Sequence, residues 1–267
     1  MRATWSGSIS FGLVTVPVKV YTATQDTTPS FRQLDEETKS PIRYRKVASS
    51  TGEEVPRERI VKGYEVSKGQ YVVLSDEEME ALPARSGKAI DVEQFVDASQ
   101  IDPVYFERPY YLVPDEAGVK AYNVLRDALA AEDKVAIGRV AFRDKEHLAA
   151  IRVMNGVLML HTMRWPEEIK EAEFPELAAS PKVSEAEVKM ARTLVQGMTD
   201  EFDPARFTDS YREAVQELVQ RKLEGEEITV PDAPEPEPVA DLMKALEASL
   251  KHVEEARSAP KKRAKAS

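Results

Sequence analysis

The stretch Trp5-Ser-Gly-Ser-Ile-Ser-Phe-Gly-Leu-Val-Thr-Val-Pro-Val-Lys-Val-Tyr21 decides how this chain begins to fold. It reads as a strand that begins at a glycine turn and then alternates. Val14, Val16, Val18 and Val20 fall on one face, and Thr15, Pro17, Lys19 and Tyr21 on the other, the pattern of a half-buried strand. Pro17 has no amide hydrogen to give to a ladder, which predicts an edge strand or a bulge. Alone, the stretch predicts a β-rich domain and nothing about function.

Working outward, strand signals recur at Gln70–Leu74, Ile90–Val96, Tyr110–Val113, Val135–Phe142, Leu148–Val153 and Val157–Met163. They are short, separated by turns and mostly not spaced as βαβ units. The first ~165 residues therefore read as an antiparallel sheet or barrel. Two short helices interrupt it. Ser75-Asp-Glu-Glu78 has the form of a capping box ahead of Met79 and Leu82, with Pro83 as the stop. Val119–Ala131 sets Tyr122, Leu125 and Leu129 on one stripe.

Farther on the chain turns helical. Ser184-Glu-Ala-Glu187 opens a helix carrying Val188, Ala191, Val195 and Met198, and a second, from about Thr208 to Glu224, carries Tyr211, Val215, Leu218 and Lys222 and stops at Gly225. Pro231-Asp-Ala-Pro-Glu-Pro-Glu-Pro238 is a charged, extended linker. Beyond it Leu242, Leu246, Leu250 and Val253 make an apolar stripe on a last helix, followed by a basic tail expected to be disordered. The fold class expected is mixed α/β, mainly β: an antiparallel β-barrel core over 1–183 with an extended arm at about 30–68. A helical segment over 184–228, a linker over 229–238 and a helix with tail over 239–267 complete the expected organisation.

Composition limits the functional classes. The 267 residues contain no cysteine, which excludes disulfides, thiolate zinc sites and cysteine nucleophiles. No apolar run approaches a membrane span and the N-terminus has no apolar signal core, so the expected location is cytoplasmic. His147, His161 and His252 are scattered without metal-ligand spacing, and no phosphate-cradling glycine loop with Lys-Ser/Thr is present. His161, inside an apolar run, reads as a core or strand residue. No cofactor and no metal are expected.

The formal net charge is −10, unfavourable for phosphate contacts if it were spread evenly. It is not. Acid gathers at 167–176 and 224–241, whereas Arg43, Arg45, Lys46, Arg57, Arg59, Lys62 and Lys68 face only Glu53, Glu54, Glu58 and Glu65 in the same segment. Residues 30–68 hold few consecutive apolar positions, and their basic clusters bracket the polar turn Ser49-Ser-Thr-Gly52. The plain reading is a solvated charged surface. The functional one is a projection: as a long hairpin, ~19 residues per limb at ~3.3 Å each reach roughly 60 Å. Lined with Arg and Lys, it would bridge a DNA duplex without reading bases, since no helix-turn-helix or zinc-finger pattern is present.

The opening stretch and Arg108-Pro-Tyr-Tyr-Leu-Val-Pro-Asp115 closely resemble the bacterial Ku proteins, the DNA-end-binding factors of non-homologous end joining, and the resemblance runs over roughly residues 1–255. It implies a homodimeric ring whose arms, here about Phe31 to Tyr64, close over a duplex. The ring would load only where DNA has an end and then slide inward. By that resemblance Arg43, Arg45, Lys46, Arg57, Arg59 and Lys62 are candidate DNA contacts. Arg139 and the loop Arg143-Asp-Lys145 would add phosphate contacts, with an ordinary polar turn as the plain alternative for that loop. Tyr110 and Tyr111 read as structural rather than base-stacking. Some relatives carry Cys-x-x-Cys in the arm, suggestive of a zinc knuckle. Ala48-Ser-Ser-Thr51 stands there instead, so strand pairing alone would hold the arm.

Asp241-Leu-Met-Lys-Ala-Leu-Glu-Ala-Ser-Leu250 resembles the element by which bacterial Ku engages its ATP-dependent DNA ligase. A helix-in-groove contact would use Leu242, Leu246 and Leu250; the alternative is that this helix packs back on its own domain. The implied function is to bind and protect double-strand ends and recruit the ligase, with no catalysis by this chain and a nucleoid-associated cytoplasmic location. Two other classes stay open on the residues alone: a metal-dependent nuclease built on carboxylates such as those of Asp200-Glu-Phe-Asp203, and a scaffold that binds no DNA.

Overall fold

Trp5–Phe11 (β1) and Val14–Thr22 (β2) form an antiparallel hairpin about Gly12 and Leu13. The computed structural model describes residues 1–81, 88–142, 145–178, 183–225 and 242–258. Ile9, Val16, Val18 and Val20 point inward and are buried, whereas Val14, at the hairpin end, is 42% exposed. The chain then crosses a long stretch containing Lys62–Ser67 (β3) and Gln70–Leu74 (β4), an isolated two-stranded sheet, before a short helix, Asp76–Glu80 (α1). Ser75 caps α1 with a full capping box. Leu82 and Pro83 lie outside the described residues.

Ala89–Asp97 (β5), Phe106–Pro114 (β6), a helix Val119–Ala131 (α2), and Lys134–Phe142 (β7), Lys145–Met154 (β8) and Val157–Met163 (β9) follow. Around the sheet the order is β1-β2-β6-β9-β8-β7-β5, and the sheet closes into a barrel. The closing seam is a parallel pair, Ser8–Ser10 on β1 against Ala89–Asp91 on β5, in an otherwise antiparallel structure. The expected barrel is therefore present, with one parallel contact that no local pattern announces.

Pro17 does not mark an edge. Strand β2 lies between β1 and β6, and its ladder with β6 starts at Val18, one residue later. The Pro17 carbonyl accepts the amide of Asp115 at 3.0 Å just as β6 ends. Nitrogen and carbonyl of one strand residue point to the same side, so the missing N–H faces a place where the ladder has already stopped. A bulge between Val92 and Gln94 in β5 is accommodated by Gly138 on β7, where a Cβ would lie 2.1 Å from the Asp91 carbonyl oxygen.

The barrel core is Ile9, Val16, Val18, Val20, Ile90, Leu112, Ile151, Leu158 and Leu160, each at most 1% exposed. Each such side chain contributes about 1.5–3 kcal/mol over remaining in water. Helix α2 adds Tyr122, Leu125 and Leu129, the stripe expected from their spacing.

The chain divides into two units between Glu171 and Ala172. The second holds Pro175–Ala178 (α3), Glu185–Met198 (α4), Ser210–Leu223 (α5) and Leu242–Ser258 (α6). Ser184 caps α4 with a capping box, and Gly225 ends the turn after α5 at φ +82. On α4 the half-buried residues are Glu187, Met190, Ala191, Leu194 and Gly197; Val188, Val195 and Met198 are 46%, 67% and 66% exposed. The inner face is thus rotated from the stripe expected there. The proline-rich linker and the basic tail lie outside the described residues.

Candidate nucleic-acid interface

The basic segment leaves the barrel at Thr22 and returns through α1 to Ala89. Both ends are at the same end of the barrel: Thr22 ends β2 beside Tyr110 in the first half of β6, and Ala89 opens β5, which runs parallel to β1 and so starts from the end where β1 starts and the antiparallel β2 finishes. From Thr24 to Val73 no residue is buried. The segment is not the continuous hairpin expected. Two single bridges, Leu34 with Pro41 and Val47 with Glu54, pin two tight turns, and only β3–β4 forms a ladder. Pro29, Pro41 and Pro56 supply no amide hydrogens where long limbs would need them.

The turns are locally held. Thr38 donates its amide and hydroxyl to the Asp35 carboxylate at 2.9 and 2.5 Å, which keeps that carboxyl below its ordinary pKa. Ala48 donates to the Glu53 carbonyl and Val55 to that of Lys46, at 2.9 and 2.8 Å, around the turn at Ser49–Gly52. Hydrogen bonds of this kind shape a loop without burying it.

Of the candidate contacts, Arg45 pairs with Glu54 at 3.2 Å and Lys62 with Asp76 at 3.0 Å, both at exposed positions. Arg43, Lys46, Arg57 and Arg59 make no ion pair among the described residues. Arg57 and Arg59 sit on one short helical turn, Arg57–Arg59. Four guanidinium or ammonium groups are thus left to water on a strand-poor projection. Arg139 differs: its guanidinium meets Glu93 at 3.1 Å and Glu146 at 3.5 Å and stacks 5.6 Å over Trp165. Its charge is already neutralised.

Lys145 opens β8 at the same barrel end as the arm, and Arg143 lies outside the described residues. Lys145, Arg108 and Arg164 make no ion pair among the described residues. They line two adjoining clefts of about 420 and 570 Å³ that share Glu107, Lys145 and His147. Trp5, Tyr110 and Phe142 form the aromatic wall; Trp5 and Tyr110 lie 5.7 and 5.3 Å from Phe142. Tyr110 therefore packs in the barrel rim, as its strand pattern suggested. Arg164 was not legible as part of this rim: it follows β9, and only strand pairing carries it beside residues from β6 and β8.

His161 is a half-buried strand residue, whose Nε2 accepts from Arg152 Nε at 3.1 Å. Burial, and then the Arg152 charge, hold its pKa below the ordinary value. Among the described residues no three His, Asp or Glu side chains gather as a metal site, the acids near Asp200 included. No helix is long and apolar enough to cross a membrane among the described residues. In the second unit, Leu246 and Leu250 are half-buried and Leu242 is 57% exposed.

The family model for the Ku70/Ku80 beta-barrel domain matches residues 10–190. The chain is 47% identical over 251 residues to the non-homologous end joining protein Ku of Frankia casuarinae, covering 94% of this chain and 63% of that protein. With the protein of the same name from Symbiobacterium thermophilum it shares 44% over 261 residues, covering 97% and 65%. With that of Mycobacterium tuberculosis it shares 43% over 260 residues, covering 94% and 95%. The chain spans less than two thirds of the first two relatives and nearly all of the third.

Proposed function

This chain belongs to the Ku family, and from that premise we propose that it binds the ends of double-stranded DNA, without reading their sequence, for non-homologous end joining. Two copies form a ring closed by their arms; the ring threads onto a free end, slides inward and protects it. Arg43, Arg45, Lys46, Arg57, Arg59 and Lys62 of the arm, together with Arg143 and with Lys145 at the barrel rim, meet sugar-phosphate. The gain in affinity comes from released counterions and is sequence-independent. Helix α6 recruits an ATP-dependent DNA ligase through Leu242, Leu246 and Leu250, and the chain itself performs no chemistry on the DNA.

The observation that carries this reading is the arm. Ordering a residue costs about 1–2 kcal/mol of backbone entropy, and fifty consecutive positions without a buried side chain offset little of it internally. Phe31, Tyr44, Tyr64 and Tyr71 are 70%, 81%, 65% and 61% exposed there. Such a segment is stabilised by what it embraces: a polyanion for the unpaired cations, a second copy for the apolar side chains. An isologous dimer supplies the latter with the same surface twice.

The test is a gel shift on a short linear duplex, competed by closed circular plasmid and by the same plasmid linearised. Competition by the linear form alone, in proportion to ends, supports threading. Equal competition by circle and line means binding from the side, and the ring mechanism falls.

A further inference from the structure

The apolar stripe of α6 is not free in this chain. Its half-buried residues, Met243, Ala245, Leu246, Leu250 and Val253, recur at helical spacing, as do those of α4, and the two helices pack together. The two helices approach closely at Gly197. A Cβ built there would stand 3.3 Å from Val253 Cγ1, so the absence of a side chain lets the helices close. Toward the start of α6 the contact opens into an apolar groove of about 480 Å³ lined by Val183, Val188, Ala191, Val195, Leu242 and Leu246. Leu242 stays exposed, while Leu246 and Leu250 are half-buried.

We propose that α4 is an intramolecular receptor for α6, and that α4 and the ligase compete for Leu246 and Leu250. The inference rests on the reading of α6 as the ligase-recruiting element. It adds that recruitment requires α6 to leave α4. Leu242 is the exposed end at which a partner first gains purchase. A helix whose binding face is occupied internally shows an apparent affinity reduced by the fraction undocked. If α6 is docked roughly nine-tenths of the time, the loss is about tenfold. The device keeps an apolar stripe out of water until a partner groove replaces the internal one.

The chain contains no cysteine, so a paired Gly197→Cys and Val253→Cys variant of the full chain introduces the only two thiols. Both thiols should disappear on oxidation at the mass of a monomer. Affinity for the end-joining ligase, read by fluorescence anisotropy, should then fall at least tenfold and recover on reduction, with DNA-end binding unchanged. Gly197→Leu, which wedges the helices apart, should strengthen ligase binding several-fold. Thiols that stay free, or that link only two copies, overturn the docking. A locked variant that still binds ligase normally, while deletion of 239–267 abolishes binding, overturns the competition but leaves recruitment by α6 standing. If that deletion leaves ligase binding intact, recruitment by α6 itself fails, and the competition with it.

Discussion

The hydroxyl of Tyr122 on α2 donates to the carbonyl of Leu112 on β6 at 2.8 Å. It also accepts the amide of Leu158 on β9 at 2.9 Å, tying the helix to two neighbouring barrel strands in a buried setting. Burial raises the pKa of this phenol, so it stays protonated and keeps the proton that it donates. Tyr122→Phe leaves the Leu158 amide without its partner, which costs about 1–3 kcal/mol. A lower urea midpoint at unchanged slope is expected; an unchanged midpoint would mean that water or a relaxed strand takes over the bond.

Gly138 faces the β5 bulge with no room for a side chain. In Gly138→Ala the new Cβ would meet the Asp91 carbonyl oxygen at 2.1 Å and its carbon at 2.8 Å, both backbone atoms. Strain of this kind costs about 1–3 kcal/mol or more. Gly63→Ala is the control, because the nearest atom there is Tyr71 Cβ at 3.5 Å, an ordinary contact. Denaturant curves should show a loss for the first substitution and none for the second.

Stability should decline in mild acid partly through His161. Its folded pKa lies below the ordinary value of 6.5, because burial and Arg152 disfavour the imidazolium. The unfolded chain therefore takes up the proton first. The contribution is complete above pH 6.5 and is lost as pH falls through that value toward the lower folded pKa. His161→Gln keeps an acceptor for Arg152 but cannot titrate. The fall in urea midpoint between pH 7.5 and 5.5 should be smaller in the variant, and an identical fall would remove His161 as a cause.

Replacing Arg43, Arg45, Arg57 and Arg59 together with Ala should weaken binding to every duplex sequence alike. If all four reach phosphate, the slope of log affinity against log salt flattens by about 3 to 4, at roughly 0.9 per contact. Because these side chains are exposed, the urea midpoint should not move. Unchanged affinity would take the arm out of the contact surface.

The barrel rim is tested separately with Arg108→Ala and Lys145→Ala, neither in an ion pair among the described residues. Each should lower end affinity and cut the salt slope by up to about 0.9. A fall in affinity with no change of slope would point instead to a packing role in the aromatic cleft.

What the sequence alone determined is local. Strand signals located β2 and β4 to β9 to within a few residues, the capping box at Ser75 forms as written, and a helix opens at Ser184 where the sequence placed one. Val119–Ala131 is a helix with the stripe its spacing required. These features depend on residues a few positions apart, whose preferences act before any distant contact is made. The resemblance of Trp5–Tyr21 and Arg108–Asp115 to Ku proteins identified the family on the same short stretches.

The tertiary structure decided the rest, because each remaining feature depends on which distant segments meet. Pro17 is tolerated inside the barrel only because β6 stops beside it. Strands β1 and β5 close the barrel in parallel across some eighty residues of chain. The arm is two pinned turns and a short ladder, since its prolines interrupt the hydrogen bonds that a long hairpin would share. Arg108, Lys145 and Arg164 share one rim only through the pairing of β6, β9 and β8. Leu242, Leu246 and Leu250 form one stripe by spacing, yet Leu242 is exposed where Leu246 and Leu250 are half-buried. Helical periodicity says which side chains share a face; only packing says what covers it.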